Sequence, residues 1–165
     1  AGSVLTMTNA LAAAGTVNFN GNILDSACDV DVASQNQVVI LGDYYKTEFP
    51  TTGARTAATQ FNIVLKNCPV TVTNAKVRFD GTPDATNSSL LAIDSSAAGA
   101  ATGVAINLMS ADKADLPLHG SNSYSYVLSS TADNTLSFYA QYISTAATVT
   151  AGPANSVANF SVVYN

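Results

Sequence analysis

The sequence has no tryptophan, a single histidine and six basic residues among 165, and charged residues make up only 10% of it. Each scarcity excludes something. The basic residues, Lys46, Arg55, Lys66, Lys76, Arg78 and Lys113, are scattered, and the net charge is −5, so no stripe exists to neutralise phosphates. Nucleic acid is therefore excluded as a partner, and the same scarcity argues against docking on anionic membranes. No apolar run approaches the roughly 18 residues that span a bilayer, so direct membrane insertion is not expected. Ala1 to Thr16 lacks a basic n-region and is not an intact signal peptide; it reads as the start of a mature protein after cleavage.

Catalytic and ligand-binding patterns are also missing. His119, between Leu118 and Gly120, would have to serve any Ser-His-Asp arrangement, but no G-x-S-x-G elbow exists and Asp112 and Asp115 carry no recognisable motif. It reads as a turn histidine. Asp25, Asp29 and Asp31 cluster around Cys28, which fits a solvated strand end better than a glycosidase pair. Asp80, Asp84 and Asp94 lack the spacing of a calcium loop, and the Gly99 and Gly103 segment lacks the Lys-Ser/Thr of a phosphate loop. The seven tyrosines read as core and sheet-face residues rather than a sugar platform. No enzyme, metal or cofactor is expected. Asn87-Ser88-Ser89 and Asn159-Phe160-Ser161 match the glycosylation pattern only formally.

What is present is 47% apolar residue, enough for a core, with Ala, Thr, Ser and Asn in place of charge. That is not a disordered composition, and the length suits one domain. The two cysteines, Cys28 and Cys68, admit either a disulfide or a pair of free thiols, or half of a metal site. The absence of C-x-x-C and the distance to the only histidine disfavour zinc, and the exported-looking composition favours the disulfide. Such a bridge would contribute about 3–4 kcal/mol in the chain-entropy model.

Period-2 alternation recurs along the sequence. Gly15, Val17, Phe19, Gly21 and Ile23 alternate with polar neighbours. So do Phe61, Ile63 and Leu65; Val77 and Phe79; Val104, Ile106 and Leu108; Leu136, Phe138, Ala140 and Tyr142; and Phe160, Val162 and Tyr164. The run from Val38 to Leu41 reads as a strand buried on both faces. Turn signals separate these segments at Asp80-Gly81-Thr82-Pro83, Asn87-Ser88-Ser89, His119-Gly120-Ser121-Asn122 and Ala151-Gly152-Pro153. No segment longer than about two turns has helical periodicity, and Thr56 to Thr59 is at most a short turn of helix. Many short strands with regular turns indicate an all-β sandwich of immunoglobulin type.

The terminal strand, Phe160 to Tyr164, carries no Lys, Pro or bulge to protect an exposed edge. At the other end lies a spare alternating strand, in which Gly21 permits close backbone approach. Strand addition between subunits satisfies both, and a donor on one subunit with an acceptor on the next generates an open filament. Pairing of the N-terminal strand within its own subunit fits the periodicity equally well.

Several motifs together resemble subunits of chaperone–usher pili, most closely the major subunits of type 1 fimbriae. They are Gly15-Thr16-Val17-Asn18-Phe19-Asn20-Gly21, then Ala27-Cys28-Asp29-Val30-Asp31; Phe61 to Cys68; Ser96 to Val104; Phe138 to Tyr142; and the end, with Gly152, Ala154-Asn155, Phe160, Val162 and penultimate Tyr164. The resemblance covers Gly15 to Asn165. It implies an incomplete immunoglobulin-like β-sandwich completed by a donor strand from another subunit. Residues 1–24 would be N-terminal arm and donor strand, and 25–165 the incomplete pilin domain. Gly15, Val17, Phe19, Gly21 and Ile23 would enter the neighbour's groove. Gly152, Phe160, Val162 and Tyr164 would form the chaperone-pairing C-terminal strand and groove. Implied partners are identical subunits in a homopolymer, a periplasmic chaperone and an outer-membrane usher. The implied location is a surface fimbrium reached through the periplasm, and the implied role is adhesion. Ala1 to Ala14 is longer than the family's short extension, and Val4-Leu5-Thr6-Met7 is itself strand-like. Two other readings compete. A tip adhesin would need an extra lectin domain for which there is no room. A monomeric carbohydrate-binding sandwich would expose aromatics, often Trp.

Overall fold

A computed structural model describes residues 13–21, 23, 27–120 and 123–165, and among these nearly all regular structure is extended. Expectations that fall on residues 1–12 (the strand-like Val4 to Met7), on Asp25, and on Ser121-Asn122 lie outside the described residues.

Alternation gives each strand one apolar face, and two antiparallel sheets bring those faces together. The larger sheet runs β1 (Asp29–Val30), β2 (Thr59–Lys66), β8 (Asn134–Ser144), β5 (Val104–Met109), β4 (Leu91–Ala92), with β6 (Asp115–Leu116) also on β5. The smaller runs β7 (Tyr126–Val127), β3 (Asn74–Gly81), β9 (Ala158–Tyr164). Helix among the described residues is limited to α1 (Val32–Gln35) and a 3-10 turn at Lys46–Glu48. No helical turn forms at Thr56 to Thr59: the first three residues are irregular and Thr59 opens β2.

The core lies between the sheets. Ile63, Leu65, Leu136 and Phe138 of the larger sheet meet Ala75, Val77 and Phe79 of the smaller one, all buried. Phe138 is edge-on to Phe79 at 5.2 Å between ring centres and tilted against Tyr126 at 5.1 Å, geometries that aromatic quadrupoles favour. The Tyr126 hydroxyl is satisfied: it donates to the Ser137 carbonyl at 2.7 Å and accepts from the Ala111 N–H. Cys28 and Cys68 form a disulfide, which closes the free-thiol alternative and ties β1 to the end of β2.

Two expectations need correction. β5 is buried at every residue rather than alternately, because its outer face is also covered. Leu90 and Ile143 lie over Ala105 there, and Asn107 sits under a polar cluster. In that cluster Arg55 donates to both Asp115 carboxylate oxygens (3.1 and 3.3 Å), Asn107 donates to Asp115 at 2.9 Å, and Gln141 donates to the Thr56 carbonyl at 2.8 Å. The hydrogen bonds from Arg55 and then Asn107 hold the Asp115 carboxyl below its usual range.

The segment from Val38 to Leu41 is not a doubly buried strand. It is irregular, with Val38 85% and Ile40 74% exposed, while Val39 and Leu41 turn inward and are half-buried. The physical reason is a missing neighbour. Beyond β1, the outer edge of β2 is served by single groups instead of a strand. The Asp31 N–H donates to the Val64 carbonyl, the Ser34 hydroxyl accepts from the Val64 N–H, and Gln37 donates to the Asn62 carbonyl.

Candidate functional site: a groove beside the last strand

The smaller sheet is only three strands wide against six, so beyond β9 part of the larger sheet's inner face has no facing strand. The result is a groove of about 930 Å³. Its floor is made of core residues: Phe61, Ile63, Phe79, Ile106, Leu108 and Ala140. One wall is Ser156 to Phe160, at the start of β9. The other is formed by Cys28 to Val30, the end of α1, and the inward Val39 and Leu41. The uncharged β9 pairs with β3 along one edge over its whole length, and no strand among the described residues pairs with its other edge. Unpaired N–H and C=O groups bordering an apolar trough make a template for one more strand.

Of the residues singled out in the terminal strand, Phe160 borders the groove directly. Val162 and Tyr164 share its inward, half-buried face and pack on the core farther along. The Tyr164 hydroxyl donates to the Cys28 carbonyl at 3.4 Å, linking the end of β9 to the opposite wall. Burial raises that hydroxyl's pKa, and Asp29 adds to the effect. Gly152 is placed elsewhere. It precedes β9, at φ +155°, and packs against the backbone of Gly99 to Ala101, where a Cβ would lie 2.0 Å from the Gly99 carbonyl oxygen. Its requirement for glycine is a close crossing of two backbone segments, not the groove.

Residues 13–21 and 23 stand clear of the body. Each is exposed; Val17 is 76%, Phe19 91% and Ile23 fully accessible, and a Cβ built on Gly15 or Gly21 would meet nothing. Pairing of this segment with its own sheets, left open by the periodicity, does not occur among the described residues. The fold thus keeps the apolar arm and the apolar groove of one subunit apart. The groove's far wall escaped the sequence reading, although the run Val38 to Leu41 carried its signal: alternate members, Val39 and Leu41, face in.

Polar residues with catalytic potential are engaged in turns. His119 sits at φ +62°, its Nε2 accepting the Gly81 N–H at 3.2 Å beside Asp80. Asp84 caps the Thr86 and Asn87 N–H groups, and Asp94 binds Ser96. Asp31 pairs with Lys66 at 3.1 Å, and Asp29 accepts from Asn67. Among the described residues no three His, Cys, Asp or Glu side chains gather as a metal site.

Comparison with known proteins agrees with this architecture. A model of the family described as fimbrial protein matches residues 17–165. The type-1 fimbrial protein A chain of Escherichia coli (strain K12) is 40% identical over 167 residues, covering 97% of this chain and 91% of that protein. The crystal structure of an antigen and type I fimbria protein of Burkholderia pseudomallei is 39% identical with a TM-score of 0.64, covering 91% of this chain and 97% of that one. A subunit from the structure of a chaperone–usher pilus is 28% identical with a TM-score of 0.70, covering 92% and 95% of the two proteins. An immunoglobulin-like sandwich with an open groove, matched over nearly its whole length in sequence and in three dimensions, places this chain in the fimbrial protein family.

Proposed function

We propose that this chain is the structural major subunit of a type 1-like surface fimbria and that it polymerises by donor-strand exchange. The carrying observation is the pairing of an open, apolar groove along β9 with a fully exposed apolar arm in the same subunit. The arm holds its large apolar side chains in solvent, and the groove runs along a β9 edge that no described strand pairs with; a second copy answers both. In this reading residues 1–24 are arm and donor strand, and 25–165 the acceptor domain. Val17, Phe19 and Ile23 enter the neighbour's groove, and Gly21 allows close backbone approach. Burying each large apolar side chain contributes about 1.5–3 kcal/mol, with ladder hydrogen bonds in addition. A strand laid in the groove would have β9 on one side and the Val38 to Leu41 segment on the other. Before assembly the groove would be held by a periplasmic chaperone pairing with Phe160, Val162 and Tyr164, and exchange would occur at an outer-membrane usher. The homopolymer so formed serves adhesion as a scaffold, without a catalytic step. The similarity to fimbrial subunits favours this reading over a monomeric carbohydrate-binding module.

The test is a variant lacking residues 1–23, followed in thermal unfolding with and without a peptide of residues 15–25. Donor-strand assembly predicts a weakly stable or aggregating domain whose melting temperature rises steeply with peptide. A stable monomer indifferent to the peptide would return the reading to a self-sufficient module.

A further inference from the structure

The exposed arm contains the sequence's single Asn-Gly pair, Asn20-Gly21. Both residues are exposed and irregular, and Gly21 has no neighbour within 4 Å of a built Cβ. No hydrogen bond to another described residue holds the Asn20 amide or the Gly21 N–H. An asparagine followed by glycine is set up for an intramolecular reaction. Without a Cβ, glycine leaves its amide nitrogen open and its backbone free to turn. Freedom from a strand ladder lets the two groups reach attack geometry, as intramolecular reactions require.

We propose that Asn20 is a spontaneous modification site, a succinimide-forming asparagine that is reactive in the unassembled subunit and closed by incorporation into the filament. The Gly21 amide nitrogen attacks Cγ of Asn20. A new N–Cγ bond forms, the bond from Cγ to the amide nitrogen Nδ2 breaks, and the attacking nitrogen's proton leaves with ammonia. Water then opens the ring. Attack at Cγ breaks the new bond and gives aspartate. Attack at the former backbone carbonyl breaks the original peptide bond and gives isoaspartate, routing the backbone through Cβ and Cγ.

The consequence for assembly rests on the donor-strand reading. In the alternating arm, Asn20 points away from the face that carries Val17, Phe19, Gly21 and Ile23, so a normal aspartate there costs little. Isoaspartate inserts one extra backbone atom between Phe19 and Gly21, and residues on its two sides no longer share a face. An aged subunit therefore loses competence as a donor while keeping its groove as an acceptor. The body of the protein supplies an internal control. Asp80-Gly81, open to the same ring closure, lies in β3 paired with Asn159 and Ala158, and its glycine N–H is donated to His119.

The experiment incubates the purified full-length protein, before and after filament formation, at mildly alkaline pH. It follows Asn20 by peptide mapping with enzymatic detection of isoaspartate. In the free subunit Asn20 should convert at close to the rate of a peptide of residues 15–25, while Asp80 stays unchanged. In the filament conversion should slow by more than about tenfold, because it then requires local opening of the strand. The Asn20→Gln variant, whose ring closure is far less favourable, should not convert. When a partly aged sample is allowed to assemble, chains with isoaspartate at position 20 should stay in the unassembled fraction, and equal recovery of isoaspartate in filament and free fractions would overturn the loss of donor competence. An Asn20 that stays intact in the free subunit while the peptide converts overturns the modification site, whatever the fate of the arm. Equal rates in free subunit and filament overturn the protection. If no filament forms with fresh protein, the donor-strand reading fails and the protective half of this proposal falls with it; the free-subunit rate still decides the site.

Discussion

Single residues in this protein are held by crossings that composition does not reveal. Gly152 is the sharpest case, since a methyl group there would overlap the Gly99 carbonyl oxygen and the Ala101 nitrogen. Both are backbone atoms, so no side chain can swing aside. Gly152→Ala should destabilise the subunit by roughly 1–3 kcal/mol, read as a lowered thermal midpoint. The Arg55–Asp115 pair gives a second expectation. Because the Asp115 carboxyl is depressed in the folded state, its contribution is complete above the ordinary aspartate value near 3.9 and is lost as pH falls through the lower folded value. Its side chain is 52% exposed, so solvent screening limits the effect to under about 1 kcal/mol. Asp115→Asn should melt slightly below the parent protein at neutral pH, and the gap should close in strong acid. None of this network was legible beforehand: Asn107, Asp115 and Gln141 meet through the pairing of β5 with β6 and β8, and Arg55, more than 50 residues away from each of them, joins through a bridge to Ile143.

At the scale of the element, legibility followed burial. β2, β3, β9 and the first part of β8 alternate because each has one face on the core, and their alternation is plain in the sequence, whereas β8 is covered on both faces from Ala140 to Ser144. β5 hid its second buried face, since Ala105 is covered by Leu90 and Ile143, and Asn107 by Asp115 and Gln141, contacts that leave no periodic trace in β5 itself. The Val38 to Leu41 run misled because a strand needs a neighbour, and the groove offers none within the subunit. The arm's alternation was equally clear, but which subunit it serves is a property of assembly. Phe19→Asp tests that service directly. Phe19 is 91% exposed, so the subunit's own stability should move by less than about 0.5 kcal/mol, while filament yield, seen by electron microscopy and sedimentation, should collapse. The disulfide belongs to this scale too. It closes a separation of 40 residues, and replacing both cysteines by alanine should cost about 4 kcal/mol in denaturant unfolding.

For the molecule as a whole, an arm that serves a neighbour's groove rather than its own makes a heterologous contact, which propagates as a filament when the rotation between copies does not close a ring. The disulfide then acquires a mechanical meaning. A tensile pull along such a filament enters each subunit through its arm and reaches the body at Cys28. There the covalent bridge hands the load straight to Cys68 at the end of β2, next to the central strand β8. The intervening loop, with α1 and the wall of the groove, is shunted out of the line of force. A stretched filament would thus keep its acceptor sites in shape while under strain, and reduction of that one bond would let each subunit release slack through its own binding wall.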